Sequence, residues 1–490
     1  MTDIILTADR TLMSDYHHNE FIGFGTCAPP NVIPDWLYSF LFFPPIKTNN
    51  GVPVAAPYGL RKVEAQLLNE GFNVLTVDPN HVGKYLREAK VLGIHVMDPF
   101  GLGPASSTFA AVLKKEPFLA QHFRRLMETP EIRIAKKHGL KIIVGGSGVW
   151  QFKYREKFVE EYGIDCIIEG EAEKVIGKIV NAALNGDALP RYYEVGVEET
   201  PSLEEIPDIQ NPSINGLVEI GRGCCRGCKF CSVTLRPLRW FSLEKIIKEI
   251  DVNIQSGYAS NVCLHAEDVM LYGSKNTVPD EQKLIALHEA ASKKCDGGIS
   301  WSHCSLATVA SNPKTFSKIA EIILQNQPWW GAEVGIETGS AELAKKVMPA
   351  KAHPFKPEEW PEVVRTGMSL MHDNKLVPAC TLIVGVPEET EDDLIKTIEL
   401  VEDLKNVRSL IVPLFFVPLG KLKSEQWFNE TQLTQLHKEL LIKCLRHDFY
   451  WIDNLIDLSF EGKWYAKILR SFYTVFVKLI ERKARKAGVA

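Results

Sequence analysis

The sequence has no uninterrupted run of 18 or more apolar residues. A helix that crosses a bilayer needs about 20 predominantly apolar residues, so the sequence predicts no transmembrane helix. The first residues carry acidic Asp3 and Asp9 and lack the basic start and the apolar core of a secretory signal peptide. These two absences favour a protein of the cytoplasm.

The sequence also lacks a strong excess of either charge sign. Lys and Arg number 56 against 61 Asp and Glu, which leaves a net charge of −5. Proteins that bind nucleic acids need basic residues to neutralise phosphates, so we expect no nucleic-acid partner. The hydrophobic fraction of 45% and the charged fraction of 24% are ordinary for a globular protein. A length of 490 residues allows two or three domains.

Four of the eleven cysteines lie in one short loop, and three of them, Cys224, Cys228 and Cys231, follow a C-x3-C-x2-C spacing. A second C-x2-C pair, which a structural zinc site commonly uses, is missing. A disulfide framework is typical of small secreted proteins, and a reducing cytosol suits these cysteines better. Three thiolates can bind three irons of a cubane cluster and leave the fourth iron open to a small molecule. Cys225 does not share the spacing, and we expect it to be a non-ligand.

This spacing, with Phe230 directly before the last cysteine, resembles the signature of radical S-adenosylmethionine (SAM) enzymes. The resemblance implies a [4Fe-4S] cluster on Cys224, Cys228 and Cys231, whose open iron binds the amino and carboxylate groups of SAM. It also implies an electron donor such as ferredoxin or flavodoxin. One electron cleaves the sulfonium of SAM and yields a 5′-deoxyadenosyl radical.

Residues 214–424 alternate between strand and helix patterns. This alternation predicts six βα units, an α/β fold of the partial (β/α)6 TIM-like type that radical SAM domains share. Residues 425–490 are expected to form a helical C-terminal region. The predicted strands are residues 217–220, 261–264, 298–301, 330–336, 380–384 and 410–416.

Motifs at the ends of these strands resemble the same family. Relatives carry an acidic residue after the second strand that accepts hydrogen bonds from the SAM ammonium group, and the charge makes such bonds strong. Gly335-Ile-Glu-Thr-Gly-Ser resembles a motif that faces the SAM ribose and carboxylate. Gly385-Val-Pro-Glu-Glu-Thr resembles a turn near the adenine, with Glu388 in place of a glycine. The resemblance thus implies SAM contacts from Glu267 or Asp268, Gly335, Glu337, Gly339, Ser340, Gly385 and Pro387.

Ser302 and His303 end a middle strand, where they could reach SAM or the substrate. We include Ser302 among the candidate cofactor-binding residues. His303 also has purely structural explanations, which stay open at this point.

Residues 51–194 alternate between short apolar runs and amphipathic stretches. This predicts a Rossmann-like parallel sheet with helices on both faces. Residues 1–50 are expected to be an N-terminal extension, and the proline-containing segment 195–213 a linker. Glycines at the strand exits would let a ligand approach the backbone, or would simply form tight βα turns.

This half resembles the cobalamin-binding domain that precedes many radical SAM domains. The match rests on Gly145-Gly146 after a strand and on Asp165-x4-Gly-Glu-x-Glu before a helix. His81 lacks the Asp-x-His-x2-Gly spacing of an axial cobalt ligand, so we expect a loop residue. The alternative is a domain that has kept this fold and lost cobalamin. The resemblance implies cobalamin contacts from Gly101, Gly145, Gly146, Ser147, Gly170 and Glu171.

The whole chain therefore resembles a cobalamin-dependent radical SAM enzyme, and methylation of an unactivated carbon in a small molecule or lipid is the expected reaction. One alternative is ring formation or carbon–carbon coupling on a membrane lipid or another metabolite. Another is a non-catalytic iron–sulfur sensor. An RNA methylthiotransferase would bring a further upstream cysteine set and a basic appended domain, and the sequence has neither.

The last helical pattern starts at residue 464 and is amphipathic with many basic residues. Such a helix can pack on the preceding domain or lie on an anionic membrane surface. The second reading would make the protein peripheral to a membrane.

Overall fold

The structure is a computed structural model that describes residues 2–29, 33–460 and 466–486. It divides the chain into two units. The first comprises Met1–Gly216 with Asp251–Ala259, and the second comprises Leu217–Ile250 with Ser260–Ala490.

The first unit contains a six-stranded sheet in which all neighbours pair in parallel. The strands are short apolar runs, as parallel strands covered on both faces require. Their order in the sheet is β2-β1-β3-β4-β5-β6. They are β1 (Ile4–Ala8), β2 (Val74–Thr76), β3 (Val91–His95), β4 (Lys141–Gly145), β5 (Cys166–Glu169) and β6 (Tyr192–Glu194).

Strand β1 lies within the segment that was expected to be an extension, so the domain boundary at residue 51 is corrected to the start of the chain. All five residues of β1 are buried. Ile4 lies opposite both Val74 and Val91, which makes β1 an inner strand of the sheet. The sequence pattern did not reveal this strand, because its apolar run is not followed directly by a predicted helix. The strands with which it pairs also lie far along the chain.

Helices cover the sheet on both faces and bury two apolar clusters, one of which includes Ile5 and Val144 and the other Ile4 and Ile143. The helices of this unit are α1 (Glu20–Gly23), α2 (Asp35–Phe42), α3 (Tyr58–Asn69), α4 (Val82–Tyr85), α5 (Pro104–Leu113), α6 (Phe118–Met127), α7 (Pro130–Lys137), α8 (Lys157–Glu161) and α9 (Ile176–Asn185).

The predicted linker 195–213 is packed against the first unit. Lys62 Nζ donates a hydrogen bond to the carbonyl of Pro207 over 2.7 Å, and Ile206 and Ile209 are buried. Arg61 Nε donates to the carbonyl of Pro212 over 2.9 Å. The segment therefore belongs to the domain rather than forming a free connection.

Helix α3 carries a buried ion pair. The Arg61 guanidinium binds both carboxylate oxygens of Glu64, at 2.9 and 2.7 Å, and both side chains are almost fully buried. Thr76 on strand β2 donates to Glu64 over 2.6 Å, and Asn211 donates over 3.1 Å. This network joins the helix, the sheet and the 195–213 segment.

The second unit contains parallel strands that are neighbours in chain order. They are β7 (Leu217–Glu219), β8 (Val262–His265), β9 (Ile299–Trp301), β10 (His303–Cys304), β11 (Trp330–Glu337), β12 (Leu376–Val384) and β13 (Leu410–Phe415).

Strands β9 and β10 are two parts of one strand position, interrupted at Ser302. The Ser302 N–H donates to the carbonyl of Leu264 over 2.9 Å, and its carbonyl accepts from Glu333 over 2.8 Å. The result is an arc of six strand positions, the order expected of six βα units. Within the described residues, β7 and β13 do not pair, so the arc is open.

The helices that follow these strands are α10 (Leu243–Gln255), α11 (Glu281–Ser292), α12 (Leu306–Ser311), α13 (Pro313–Ile323), α14 (Ala341–Val347), α15 (Trp360–Asp373) and α16 (Glu391–Asp403). The C-terminal region is helical as expected, with α17 (Gln435–Phe460) and α18 (Ala466–Lys486).

Helix α18 packs against α17. Tyr473 and Phe476 are buried, whereas Phe472, Val475 and Leu479 are exposed, so only part of the predicted apolar face is covered. Residues 464 and 465, where the helical pattern was expected to start, lie outside the described residues. None of the helices in the described part of the chain is long and apolar enough to span a membrane.

The Arg61–Glu64 pair yields a stability prediction. Replacing Glu64 with Ala should lower the free energy of unfolding of the first unit by about 3–5 kcal/mol, because Arg61 would remain buried without its counter-charge. Urea denaturation, combined with hydrogen exchange of the α3 peptide, measures the change.

Glu160→Ala is the control, since it breaks the exposed Glu160–Arg191 pair of the same unit. Its effect should stay below about 1 kcal/mol. Equal effects of the two substitutions would show that the buried pair has no special role.

Candidate active site

The cysteine loop begins directly after strand β7 and is closed at its base by a short hairpin. Gly221–Arg222 pairs in antiparallel fashion with Arg239–Trp240. A Cβ on Gly221 would lie 2.3 Å from the Trp240 ring, and one on Gly223 would lie 2.3 Å from the carbonyl oxygen of Pro237. Gly223 also has a φ of 81°, so glycine is needed for the two arms to meet.

Cys228 is buried, and Cys224 and Cys231 are half-buried. The Arg226 N–H points to Cys224 Sγ over 3.5 Å, a contact that favours a thiolate. Burial raises the pKa of all three thiols, and that of Cys224 to about 12. Iron binding must therefore displace protons from these groups.

The donor set fits an iron–sulfur cluster. No three His, Cys, Asp or Glu side chains within the described ranges are arranged around a single metal ion. A cubane does not require such an arrangement, because each of its cysteines binds a different iron. Three thiols on one glycine-closed loop therefore suit a cluster better than a zinc ion.

Cys225 is exposed, unlike its three neighbours. It lines a cavity of about 630 Å³ together with Trp240, Tyr272 and Lys283. Its role as a non-ligand stays a prediction.

Arg226 holds the cysteine loop in place, although its sequence position carried no recognised signal. Its guanidinium is buried and bonds to Asp268 Oδ2 over 3.0 Å. It also donates to the carbonyls of Lys351 and His353 over 2.8 and 3.0 Å. Thr308 donates to the same carboxylate oxygen of Asp268 over 2.6 Å.

The two acidic candidates for binding the SAM ammonium group have different surroundings. Asp268 is buried and bound by Arg226, by Thr308 and by the N–H of Ser305. Glu267 is half-buried, and its charge acts on Cys224, Cys231 and His303. Glu267 therefore faces the cysteine loop, whereas Asp268 is a structural partner of Arg226.

Glu337 and Lys351 form a second charged group beside the cysteines. Lys351 Nζ lies 2.5 Å from Glu337 Oε1, and Thr381 donates to Glu337 Oε2 over 3.2 Å. Burial lowers the pKa of Lys351, but Glu337 and Cys228 outweigh it, so the pKa is raised. Lys351 lies in a 3-10 turn, Pro349–Ala352, with no motif that could have revealed it from the sequence.

The Glu337–Lys351 pair occupies the space next to Gly335. A Cβ there would lie 2.1 Å from Glu337 Oε1 and 2.3 Å from Lys351 Nζ. The register of β11 shifts between Gly335 and Glu337, and Glu337 has a φ of 64°. A left-handed glutamate costs about 1–3 kcal/mol and is typical of functional sites.

The other two residues of this motif have packing roles. A Cβ on Gly339 would lie 2.5 Å from the carbonyl oxygen of Lys396. Ser340 is buried, caps helix α14 and donates to Asp393. Ser302 similarly joins two strands, since its hydroxyl bonds to the carbonyl of Ala266 over 3.2 Å.

The Gly385 turn has two residues with left-handed backbone conformations. Gly385 has a φ of 80°, and its N–H donates to Glu389 over 2.8 Å. Pro387 is half-buried. Glu388 has a φ of 70°, so it lies in the left-handed region that favours glycine.

The candidate cobalamin residues lie at the carboxyl edge of the first unit's sheet, as predicted from their strand exits. Open space surrounds the position of a Cβ on Gly145, and Ser147 and Gly170 are exposed. Glu171 is half-buried. At Gly146, a Cβ would lie 2.3 Å from the carbonyl oxygen of Val96, so glycine here lets the backbone pass close to that of Val96.

Packing also explains two further glycines of this set. A Cβ on Gly101 would lie 2.5 Å from the Pro117 ring, and one on Gly170 would lie 2.7 Å from Val195. His81 is a partly exposed loop residue that bonds to Asp78 over 3.2 Å. Its spacing predicted a loop residue as well.

The strand order places a switch point between β1 and β3, where ligands bind in open parallel sheets. Asp9 and Thr11 follow β1 there, and neither was a candidate because β1 itself was missed. The Thr11 N–H donates to Asp9 over 2.8 Å, while burial raises the pKa of Asp9 to about 6. The apolar run before Asp9 was the one available sequence signal.

Comparison with known proteins finds a family match within the second unit. Residues 218–401 match the radical SAM superfamily. A tRNA-2-methylthio-N(6)-dimethylallyladenosine synthase of Thermotoga petrophila is 28% identical over 275 residues, which are 55% of this chain and 57% of that protein. The chain thus spans less than two thirds of the length of this curated relative.

Two solved structures share the fold. The radical SAM methyltransferase TsrM from Kitasatospora setae, with cobalamin and a [4Fe-4S] cluster bound, has a TM-score of 0.55 and 15% identity over 86% of this chain and 77% of its own. The cobalamin-dependent SAM radical enzyme OxsB has a TM-score of 0.52 and 13% identity over 98% of this chain and 71% of its own.

The superfamily match begins at the strand that precedes the cysteine loop, and the superfamily uses a [4Fe-4S] cluster and SAM. The three cysteines, the strand arc and the solved structures agree with it. Residues 218–401 therefore form a radical SAM domain, and the chain shares its fold with two solved radical SAM enzymes, one with cobalamin bound and one cobalamin-dependent.

Proposed function

We propose that this protein is a cobalamin-dependent radical SAM enzyme that cleaves SAM reductively and methylates an unactivated carbon. The observation that carries the proposal is the cysteine loop, with Glu267 and the Glu337–Lys351 pair beside it, at the carboxyl ends of the strand arc.

Each residue of this site has a task. Cys224, Cys228 and Cys231 would hold the cluster, which when bound supplies the electron that cleaves SAM. Arg226 keeps the loop in position through Asp268. Glu267 would accept hydrogen bonds from the SAM ammonium group, which fits a carboxylate in a partly dry site.

The Glu337–Lys351 pair acts on the cysteine loop and on its own geometry. Burial raises the pKa of Cys228, and the charge of Lys351 opposes this rise. Lys351 therefore favours the thiolate that iron binds. It also holds Glu337 in one orientation over Gly335. A fixed arrangement of charges of this kind positions a bound molecule with little reorganisation.

The first unit supports the cobalamin part of the proposal. Its carboxyl edge has open space at Gly145 and exposed Ser147 and Gly170. The strand order provides a switch point at β1 and β3, the usual ligand position in such sheets. Cobalamin, when bound, would supply a transferable methyl group.

Methylthio transfer is a second candidate, favoured by the relative from Thermotoga petrophila. Such a reaction on RNA would require a second cysteine set and a basic surface. Only Cys27 and Cys166 precede the cluster loop, and Cys166 is buried in strand β5. The net charge of −5 also disfavours RNA, so carbon methylation is the better proposal.

The proposal places the protein in a reducing cytoplasm, where thiols for cluster assembly stay reduced. It needs an electron donor such as ferredoxin or flavodoxin. The substrate would be a small molecule or a lipid.

The cluster assignment is tested by replacing Cys228 with Ala. The brown absorbance of the cluster and the production of 5′-deoxyadenosine should disappear together, because one iron loses its protein ligand. Cys225→Ala is the matched control from the same loop and should retain both. SAM cleavage by the Cys228 variant would contradict the assignment.

A second prediction separates Glu267 from Asp268. Glu267→Gln should weaken SAM binding to the reconstituted protein by roughly 10–100-fold, since a hydrogen bond to a charged group contributes about 1.5–3 kcal/mol. Equilibrium dialysis with labelled SAM measures this.

Asp268→Asn is the counterpart and should lower the iron content per chain instead, because the Arg226 contact is weakened. In the fraction that does reconstitute, SAM affinity should be near wild type. The reverse pattern would assign the ammonium group to Asp268.

Cobalamin binding is tested by incubating the purified protein with hydroxocobalamin and removing the unbound fraction. The wild type should retain about one corrin per chain, as a single switch point predicts. Gly145→Leu should lower retention roughly tenfold, about 1.4 kcal/mol, because the side chain occupies the open space.

Lys90→Leu, at the opposite edge of the sheet, should leave retention unchanged. Absence of corrin absorbance from the wild type would remove cobalamin from the proposal and leave a cobalamin-free radical SAM enzyme.

A further inference from the structure

Three buried polar atoms of the strand arc have no hydrogen-bond partner among the described residues. They are Glu219 Oε2, His265 Nδ1 and His303 Nδ1. All three residues lie at or near the carboxyl ends of neighbouring strands β7, β8 and β10. Buried polar atoms are nearly always paired in native proteins, so three such atoms in one place indicate a ligand.

Strand register brings these residues together with Glu333. His265 lies opposite Glu219 on the neighbouring strand, and His303 lies opposite Glu333. The rings of His265 and His303 have centroids 6.0 Å apart. We call Glu219, His265, His303 and Glu333 the polar belt, since they occupy four consecutive strand positions at one level of the arc.

The belt has one strong donor without a partner. His303 Nε2 lies 3.0 Å from Glu333 Oε2, which fixes the ring. Burial lowers the pKa of His303, but Glu333, with help from Glu267, outweighs burial and the opposing charge of Lys351 and raises it to about 9. At neutral pH both ring nitrogens therefore carry protons, and the Nδ1–H remains to be bound.

Glu219 and His265, the other two belt residues with an unpaired atom, offer a ligand no free positive charge. Glu219 accepts from Arg222 Nε over 2.8 Å, which neutralises its charge. Burial and the charge of His303 both lower the pKa of His265, so this ring is neutral. His303 is thus the cation of the belt that is available to a ligand.

Resting on the proposed function, we propose that the polar belt is the recognition site of the substrate, and that the substrate is a small polar molecule with an oxyanion, a carboxylate or a phosphate, bound by His303 Nδ1–H. Glu333 and His303 are positioning residues, since they orient the substrate and do not take part in bond cleavage.

An apolar lipid chain at the belt would leave these groups unpaired. Each buried polar group without a partner costs about 1–3 kcal/mol, so hydrocarbon is disfavoured there. A water-soluble anion instead satisfies the donor and gains a charge-assisted hydrogen bond. The belt therefore distinguishes among the substrate classes that the proposed function leaves open.

The test uses the full-length, cluster-reconstituted protein and an extract of the source cells separated into anionic, neutral or cationic, and lipid fractions. Each fraction is incubated anaerobically with the protein, unbound material is removed, and retained compounds are identified by mass spectrometry. The wild type should retain a compound from the anionic fraction. His303→Gln should reduce this retention at least about tenfold, or 1.4 kcal/mol.

His138→Gln is the matched control, because His138 is an exposed histidine of the first unit. It should retain the anion as the wild type does. Phosphatase treatment of the anionic fraction distinguishes the two sources: loss of retention indicates a phosphate, and unchanged retention indicates a carboxylate. Retention from the lipid or the neutral or cationic fraction alone, equal retention by His303→Gln, or no retention would overturn the proposal.

Glu333→Gln gives a readout that a merely structural role would not change. Wild-type retention should persist at neutral pH and fall as the pH rises through about 9, where His303 loses its proton. Without Glu333 the pKa of His303 falls, so retention should disappear at a lower pH. An unchanged pH profile would contradict the role of the His303–Glu333 pair.

Failure of the proposed function would be seen separately. SAM cleavage to 5′-deoxyadenosine without extract should be equal in the wild type and in His138→Gln, because His138 is an exposed residue outside the belt and the cysteine loop. Methyl-labelled SAM with the anionic fraction should label a compound in the wild type and the control. Missing cleavage in both proteins would refute the enzymatic proposal, whereas the retention experiment decides the substrate class.

Discussion

The ion pair between Arg226 and Asp268 is the interaction on which the second unit's site depends. Both side chains are buried, and a lone charge in that position would be strongly destabilising. The pair joins the cysteine loop to the segment after strand β8. The same guanidinium binds the carbonyls of the turn that carries Lys351, and Thr308 ties helix α12 to Asp268. One arginine thus sets the relative positions of the cysteine loop, Glu267 and Lys351.

Close backbone approach is the second constraint on this site. The arms of the cysteine loop approach closely at Gly221 and Gly223, and the Glu337–Lys351 pair occupies the space next to Gly335 that a Cβ would need. Glu337 and Glu388 both adopt left-handed backbone conformations that glutamate rarely takes. Glu337 belongs to the charged group beside the cysteines, and the surrounding packing compensates for this strain.

Local patterns predicted much of the fold and part of the site. The cysteine spacing and the strand candidates of the second unit could be found because each is encoded in a few adjacent residues, and the role of Glu267 stays a prediction. The same patterns could not distinguish a ligand contact from packing. Gly339, Ser340 and Ser302 matched a binding motif or a strand end, yet the structure gives them contacts within the protein. Strand β1 was missed because its partners are about 70 residues away in the chain.

The sequence by itself indicated the type of chemistry, because three thiolates at this spacing, with no second C-x2-C pair, favour an iron–sulfur cluster with an open iron over a zinc site. Only the tertiary structure decided which charged residues lie around the cysteine loop and which polar groups line the ends of the neighbouring strands. Arg226, Lys351, Glu333 and His265 belong to no motif, and strand register or turn geometry brings them into place. The physical reason is that a ligand set can be encoded by spacing along one loop, whereas an electrostatic environment is assembled from distant segments.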